Sequence, residues 1–366
     1  MGFPNRSLST FLHEAIEHGN LDIAKLLLSY GADVNSLDYW GGSALHKAVR
    51  SRKFGVVEFL LKAGADLNAW NEYKGTSLHE AIGRGDLDIV QFLLSHSANI
   101  NAFDHSRDSP LHKAIRFQKF DLVELLLKNG VDVNARYKGN STPLHIAIKS
   151  GQLNITQLLL SHGADVNALD LRGDAPVFTV LRSREFDIME HLLKCGADGN
   201  TRDKDNSTPL HEASACGYLD AARILLSAGA DVNAIDLRRD SALHKGLRSR
   251  EFGIAELLVK SGADVNARNK YNSTPLHEIS ENWNLDVAKL LLSHGADVNA
   301  RGWCNRTPLH VASFGGSLDV SRFLIEHGAG VDAQDDEKRT PFSIALANGH
   351  RKLARFLSDD SDPADP

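Results

Sequence analysis

A Leu-His pair returns along this chain at a fixed interval, and that interval restricts the fold more than any other feature. The histidines are His13, His46, His79, His112, His145, His211, His244, His277 and His310, all on one 33-residue grid. Phe178 and Ser343 stand at the two grid points without histidine. "GADVN" or a close variant follows nearly every one. Eleven units fit with no insertion or deletion. Strict self-similarity at this period marks a stacked array rather than two or three separate globular domains.

One unit shows why it folds as it does. In "STPLHIAIKSG", from Ser141 to Gly151, Thr142 is a good N-cap and Pro143 suits the first helical position, which needs no amide hydrogen. Gly151 ends the helix by turning left-handed. In "QLNITQLLLSHG", Leu153, Leu158 and Leu159 lie at helical spacing and Gly163 closes the segment. "ADVNALDLRGD" is polar and turn-rich, which predicts an extended hairpin. Each unit is therefore expected to be two short helices with a β-hairpin finger, an all-α class overall. So small a pair cannot bury its apolar face alone, and stacking makes one continuous core. The array is expected at 10–358, after a lead-in at 1–9 and before an acidic tail at 359–366 that is expected to be disordered.

T-P-L-H-x-A followed by G-A-D-V-N-A at this period resembles the ankyrin repeat family, over more than nine-tenths of the chain. The resemblance implies a curved solenoid with fingers and inner helices lining a concave face. It implies protein partners, and in most members no catalysis. It also implies that the motif histidine bonds the backbone and neighbouring Thr side chains.

A second period of 66 residues lies inside the first. After the motif histidine, odd units carry Glu14, Glu80, Glu212 and Glu278, whereas even units carry Lys47, Lys113 and Lys245. Six residues after it, odd units have Gly19, Gly85, Gly151 and Gly217, whereas even units have Arg52, Gln118, Arg184 and Arg250. Alternating Glu and Lys predict a ladder of charge between facing inner helices. An arginine where glycine turns left-handed costs about 1 kcal/mol or more, so the turn is expected to be rebuilt there.

Recognition should fall where side chains need not serve the core. The early fingertips are aromatic: Tyr39, Trp40, Trp70, Tyr73 and Phe103. Exposed rings on successive fingers suggest anchors for a partner. The inner helices carry Arg50, Arg84, Arg116, Lys149, Arg182 and Arg248, read as a basic stripe that holds an acidic or phosphorylated peptide. A second candidate is a small-molecule or catalytic pocket near the C-terminal repeats, from Glu278, Glu281, Trp283, Trp303 and Phe314, with an acid beside exposed rings.

Composition narrows the classes. The net charge of -6 argues against nucleic acid. Three cysteines in unrelated contexts make neither a disulfide framework nor a metal set. No phosphate loop, zinc motif or nucleophile elbow is present, so neither cofactor nor metal is expected. No apolar run approaches the ~20 residues that span a bilayer. A monomer in the cytoplasm or nucleus is the expectation.

Overall fold

The computed structural model describes residues 4–282 and 284–358, with the side chains of 4–7 and 280–282 outside that description. Trp283, the side chain of Glu281 and the tail at 359–366 therefore lie outside the described residues. Among the described residues there are 22 α-helices and no β-strand. The first helix is Pro4–His18, so helix already occupies most of the span read as a lead-in. No helix of the described residues is long and apolar enough to cross a membrane.

The chain divides into two compact units, Met1–Gly196 and Ala197–Pro366. Within each, inner helices, of seven or eight residues after the fifteen-residue first, alternate with outer helices, most of them nine residues long. Pro143–Lys149 and Leu153–Ser161 form one such pair. Inner helices stack on inner helices, and outer on outer. Leu144, Ala147, Ile148 and Leu159 are fully or almost fully buried between them. Burying such side chains contributes ~1.5–3 kcal/mol each.

The motif histidine is the joint. The Thr142 N–H donates to Nδ1 of His145 at 3.3 Å, with the Thr142 hydroxyl 2.9 Å away. An Nδ1 that accepts from an amide leaves the proton on Nε2. Nε2 then donates to a carbonyl 29 residues on: His46 to Gly75 at 3.0 Å, His145 to Asp174 at 3.4 Å, His211 to Asp240 at 2.9 Å. Burial pushes all nine imidazoles down, His79 and His112 from 6.5 to about 4. Neutral imidazole is what this joint requires. Where Phe178 replaces the histidine, Ala175 replaces the capping Thr, so both polar partners leave together. Exchanging a bonded couple for an apolar one costs little.

Asparagine makes a second joint. Oδ1 of Asn35 accepts from the Asp66 amide at 2.7 Å, and its Nδ2 donates to the Gly64 carbonyl at 3.2 Å. Asn134, Asn233 and Asn266 repeat the pattern.

The fingers differ from the expected hairpins. Among the described residues two isolated bridges occur, Leu37–Ser43 and Ile235–Ser241. Most fingertips are instead Asx turns, the exceptions standing at Tyr137 and Gly302. Oδ1 of Asp38 accepts from the amides of Trp40 and Gly42 at 2.9 and 2.8 Å, and Asn71, Asp104, Asp170, Asp203, Asp236, Asn269 and Asp335 do the same. A side-chain carboxylate or amide that closes its own turn needs no strand pairing to hold the loop.

The turn expected to be rebuilt is not. Arg52, Gln118, Arg184 and Arg250 keep φ of 54°, 55°, 62° and 64°, close to the 65° of Gly151. In the fifth and seventh repeats the next repeat crowds the glycine: a Cβ on Gly151 would lie 2.7 Å from the Glu185 carboxylate, and one on Gly217 2.6 Å from that of Glu251, whereas Gly19 and Gly85 face only lysine stems at 3.2 and 3.3 Å.

Candidate functional site

In the first unit the Asx turns present the aromatic side chains outward. Tyr39, Trp40, Trp70 and Tyr73 are 91%, 61%, 59% and 64% exposed, and Phe103 is 43% exposed. Tyr39 and Trp40 meet edge to face at 5.2 Å. Neighbouring fingertips are joined through the backbone, Glu72 N–H to the Trp40 carbonyl at 3.4 Å and His105 N–H to the Tyr73 carbonyl at 2.7 Å. The rings thus stay open while their loops are held.

Two grooves run beside these tips. One of about 680 Å³ is lined by Trp70, Lys74, Phe103, His105, Arg107 and Arg136. The other, about 730 Å³, shares His105, Arg107 and Arg136 and adds Tyr137, Lys138 and Leu171. The Arg136 guanidinium is held by the carbonyls of Asn140 and Leu169 at 3.1 and 2.7 Å. Lys74, Arg107 and Lys138 have no carboxylate within 4.0 Å among the described residues. Sequence reasoning missed this cationic edge. Its signal was Lys74, Arg107 and Lys138 on successive tips, beside the rings already singled out.

The inner-helix stripe is largely internally neutralised. Arg50 reaches Glu80 at 3.2 Å, and Arg84 reaches the same carboxylate at 3.3 Å. Arg182 grips Asp174 with both guanidinium nitrogens. Arg116 stands 3.5 Å from Asp108, with its guanidinium carbon 4.4 Å over the Tyr137 ring. Lys149 alone of the first-unit stripe is exposed with no carboxylate partner among the described residues. The expected ladder of motif Glu and Lys is largely replaced by other pairs: Lys47 meets Glu17 at 3.0 Å and Asp38 at 3.4 Å, Lys245 meets Asp236 at 2.8 Å, and Glu80 and Glu278 take arginines. Those that are half exposed are worth well under ~1 kcal/mol each.

In the second unit Arg248 donates to both oxygens of Asp240 at 3.0 and 3.1 Å and to Glu278 at 2.9 Å. Burial raises the Asp240 carboxyl, but the bonds and charge of Arg248 outweigh it and leave the pKa below 3.8. Glu278, Trp303 and Phe314 do come together, around a hollow of about 290 Å³ that also touches His277, Arg306 and Val311. Trp283 and the side chain of Glu281, expected in the same pocket, lie outside the described residues. Glu278 Oε1 is engaged by Arg248 and, at 3.5 Å, by the amide of Asn269. Among the described residues no group of three or more His, Cys, Asp or Glu could hold a metal ion.

A family model for ankyrin repeats matches residues 3–71, 78–170, 144–236, 235–302 and 300–366. No curated protein matches closely enough to stand as a relative.

Proposed function

The chain belongs to the ankyrin repeat family, and from that premise we propose that it is a non-enzymatic adaptor whose first unit takes an acidic or phosphorylated segment of a partner protein along its fingertips. Ankyrin repeats are typically protein–protein interaction modules, and generally non-catalytic ones. The observation that carries the reading is the pairing of exposed rings with cations that have no internal partner. Trp70 and Phe103 line the same groove as Lys74 and Arg107. An extended segment that alternates apolar and acidic residues matches both. Rings supply anchoring area at low entropic cost, and a guanidinium takes carboxylate or phosphate bidentately. The stripe on the inner helices is a weaker candidate, because a partner would have to displace existing ion pairs, Lys149 excepted.

The test starts by capturing partners with the full chain and mapping the bound segment. Replacing Trp40, Trp70 and Tyr73 together by alanine should weaken that segment by at least about tenfold, ~1.4 kcal/mol, with thermal unfolding unchanged. Replacing Lys74, Arg107 and Lys138 by glutamate should remove the salt dependence of binding. Binding that is indifferent to both sets removes the fingertips from the account.

A further inference from the structure

The first repeat leaves open a face that every later repeat covers. Ile23, on the outer helix Leu21–Ser29, is 47% exposed, whereas its equivalents in the later repeats, from Val56 to Leu353, are at most 5% exposed. Phe11, on the first helix, is 56% exposed, and the Ala, Ser or Pro in its place is buried in each later repeat. Leu26 is 55% exposed where Phe59, Phe92 and Leu125 are half-buried. Each later repeat has another stacked before it. Among the described residues nothing is stacked before the first. A terminal repeat that faces water keeps its outer face polar, so three apolar side chains in these places suit a face that is covered.

We infer that this face is covered by the same face of a second copy of the chain, in a two-fold dimer. Its charges are self-complementary. Asp22 and Lys25 flank the stripe of Ile23 and Leu26 along one edge of the helix, and their own contact is a loose 4.0 Å, with side chains 98% and 58% exposed. Two such helices packed antiparallel about a two-fold axis set Ile23 against Leu26 of the partner subunit, and Asp22 beside Lys25 of the partner subunit. The opposite end of a second copy fits less well. Leu346 is exposed there, but both side-chain donors that cross to a following repeat are gone: Ser343 replaces the joint histidine and Asp332 the joint asparagine. The Ser343 hydroxyl is used within its own turn, donating to the Thr340 carbonyl at 2.9 Å. The dimer replaces the monomer expected from the sequence, and it does not rest on the fingertip reading.

The test is sedimentation of the full chain over a concentration series. Its mass should rise from monomer to dimer and stop there, because a two-fold contact closes on itself. Phe11→Glu and Leu26→Glu should each weaken the dimer by at least about tenfold, ~1.4 kcal/mol. Asp22→Lys and Lys25→Asp change only exposed groups, and they keep the test decisive if either glutamate variant proves unstable. Each alone brings like charges together across the axis and should weaken association several-fold. Mixing those two variants should restore it, because each then meets its opposite. Leu346→Arg, at the other end, should change nothing. A chain that stays monomeric, a mass that grows past the dimer, association lost in Leu346→Arg, or charge variants that fail to rescue each other overturns the inference.

Discussion

Asp108 and Asp240 hold the same place in repeats 132 residues apart, one in each unit, and they end in opposite states. Both are buried, 7% and 2% exposed. Asp240 receives two bonds from Arg248 and a third from the Asn269 amide at 3.2 Å. Asp108 has one oxygen with no hydrogen-bond partner, because Arg116 lies over Tyr137 instead. Burial pushes the Asp108 carboxyl up to about 6, against the opposing pull of Arg116. The divergence traces to two positions. Tyr137 stands where the second unit has Asn269, and Ile146 where it has Glu278. The ring removes an amide donor from the carboxylate and draws the arginine away. It also sits against His112, whose Nε2 has no partner, while Nε2 of His244 reaches the Ser273 carbonyl at 3.2 Å. A duplicated ion pair is thus only as good as the third residue that holds its geometry.

Replacing each aspartate by asparagine should give the largest contrast, with opposite signs. Asp240→Asn removes a charge that Arg248 needs and should cost about 2 kcal/mol at pH 7. Asp108→Asn removes a charge that burial penalises and should stabilise by on the order of 1–2 kcal/mol at pH 7. A carboxyl whose folded pKa of about 6 lies above its ordinary 3.8 supports the fold below pH 3.8 and withdraws that support as pH rises through 6. The gain from Asp108→Asn should therefore vanish as pH is lowered from 7 to about 4. Buried histidines with lowered pKa destabilise the fold over the same acid range. Denaturation is therefore compared between variant and parent at each pH, where that contribution cancels. A stabilisation by Asp108→Asn that persists at pH 4 would mean that ionisation is not the cause.

Tyr137→Asn makes the first unit like the second and is the sharper, smaller test. The amide restores the donor and frees Arg116 to turn onto Asp108. The Asp108 carboxyl should then titrate below its present value of about 6, read by NMR of the side-chain carbon. Stability at pH 7 should rise by about 1 kcal/mol, and less if the lost ring contact with His112 matters more. An Asp108 that still titrates near 6 would assign its state to burial alone.

Much of this was legible in the sequence, because repetition turns a weak local signal into a strong one. Thr142, Pro143 and Gly151 named the inner helix, and nine histidines on one grid named the joint. The Asx turns were visible in principle as Asp or Asn at 38, 71, 104, 170, 203, 236, 269 and 335. They were read as hairpins because a finger loop and a strand pair share polar composition. The fate of the arginines was harder. Asp108, Asp174 and Asp240 precede Arg116, Arg182 and Arg248 by eight residues, on opposite sides of an inner helix start. Nothing in helical periodicity brings such residues together. Only the path of the finger does. Arg50 shows the rule from the other side: Gly42 stands where the aspartate would be, and Arg50 turns to Glu80 in the next repeat.

The smallest effect is expected at the turn two residues beyond Arg116 and Arg248. Gln118 and Arg250 both stand in the left-handed region, at 55° and 64°. Such strain costs about 1 kcal/mol, and glycine relieves it while adding entropy to the unfolded chain. Gln118→Gly should therefore stabilise by only ~0.5 kcal/mol, seen as a small shift in the denaturation midpoint with an unchanged slope. The shift should be the same in the parent and in Asp108→Asn, because the turn and the carboxylate share no partner. Unequal shifts in the two backgrounds would show that the strained turn and the unsatisfied Asp108 belong to one linked element.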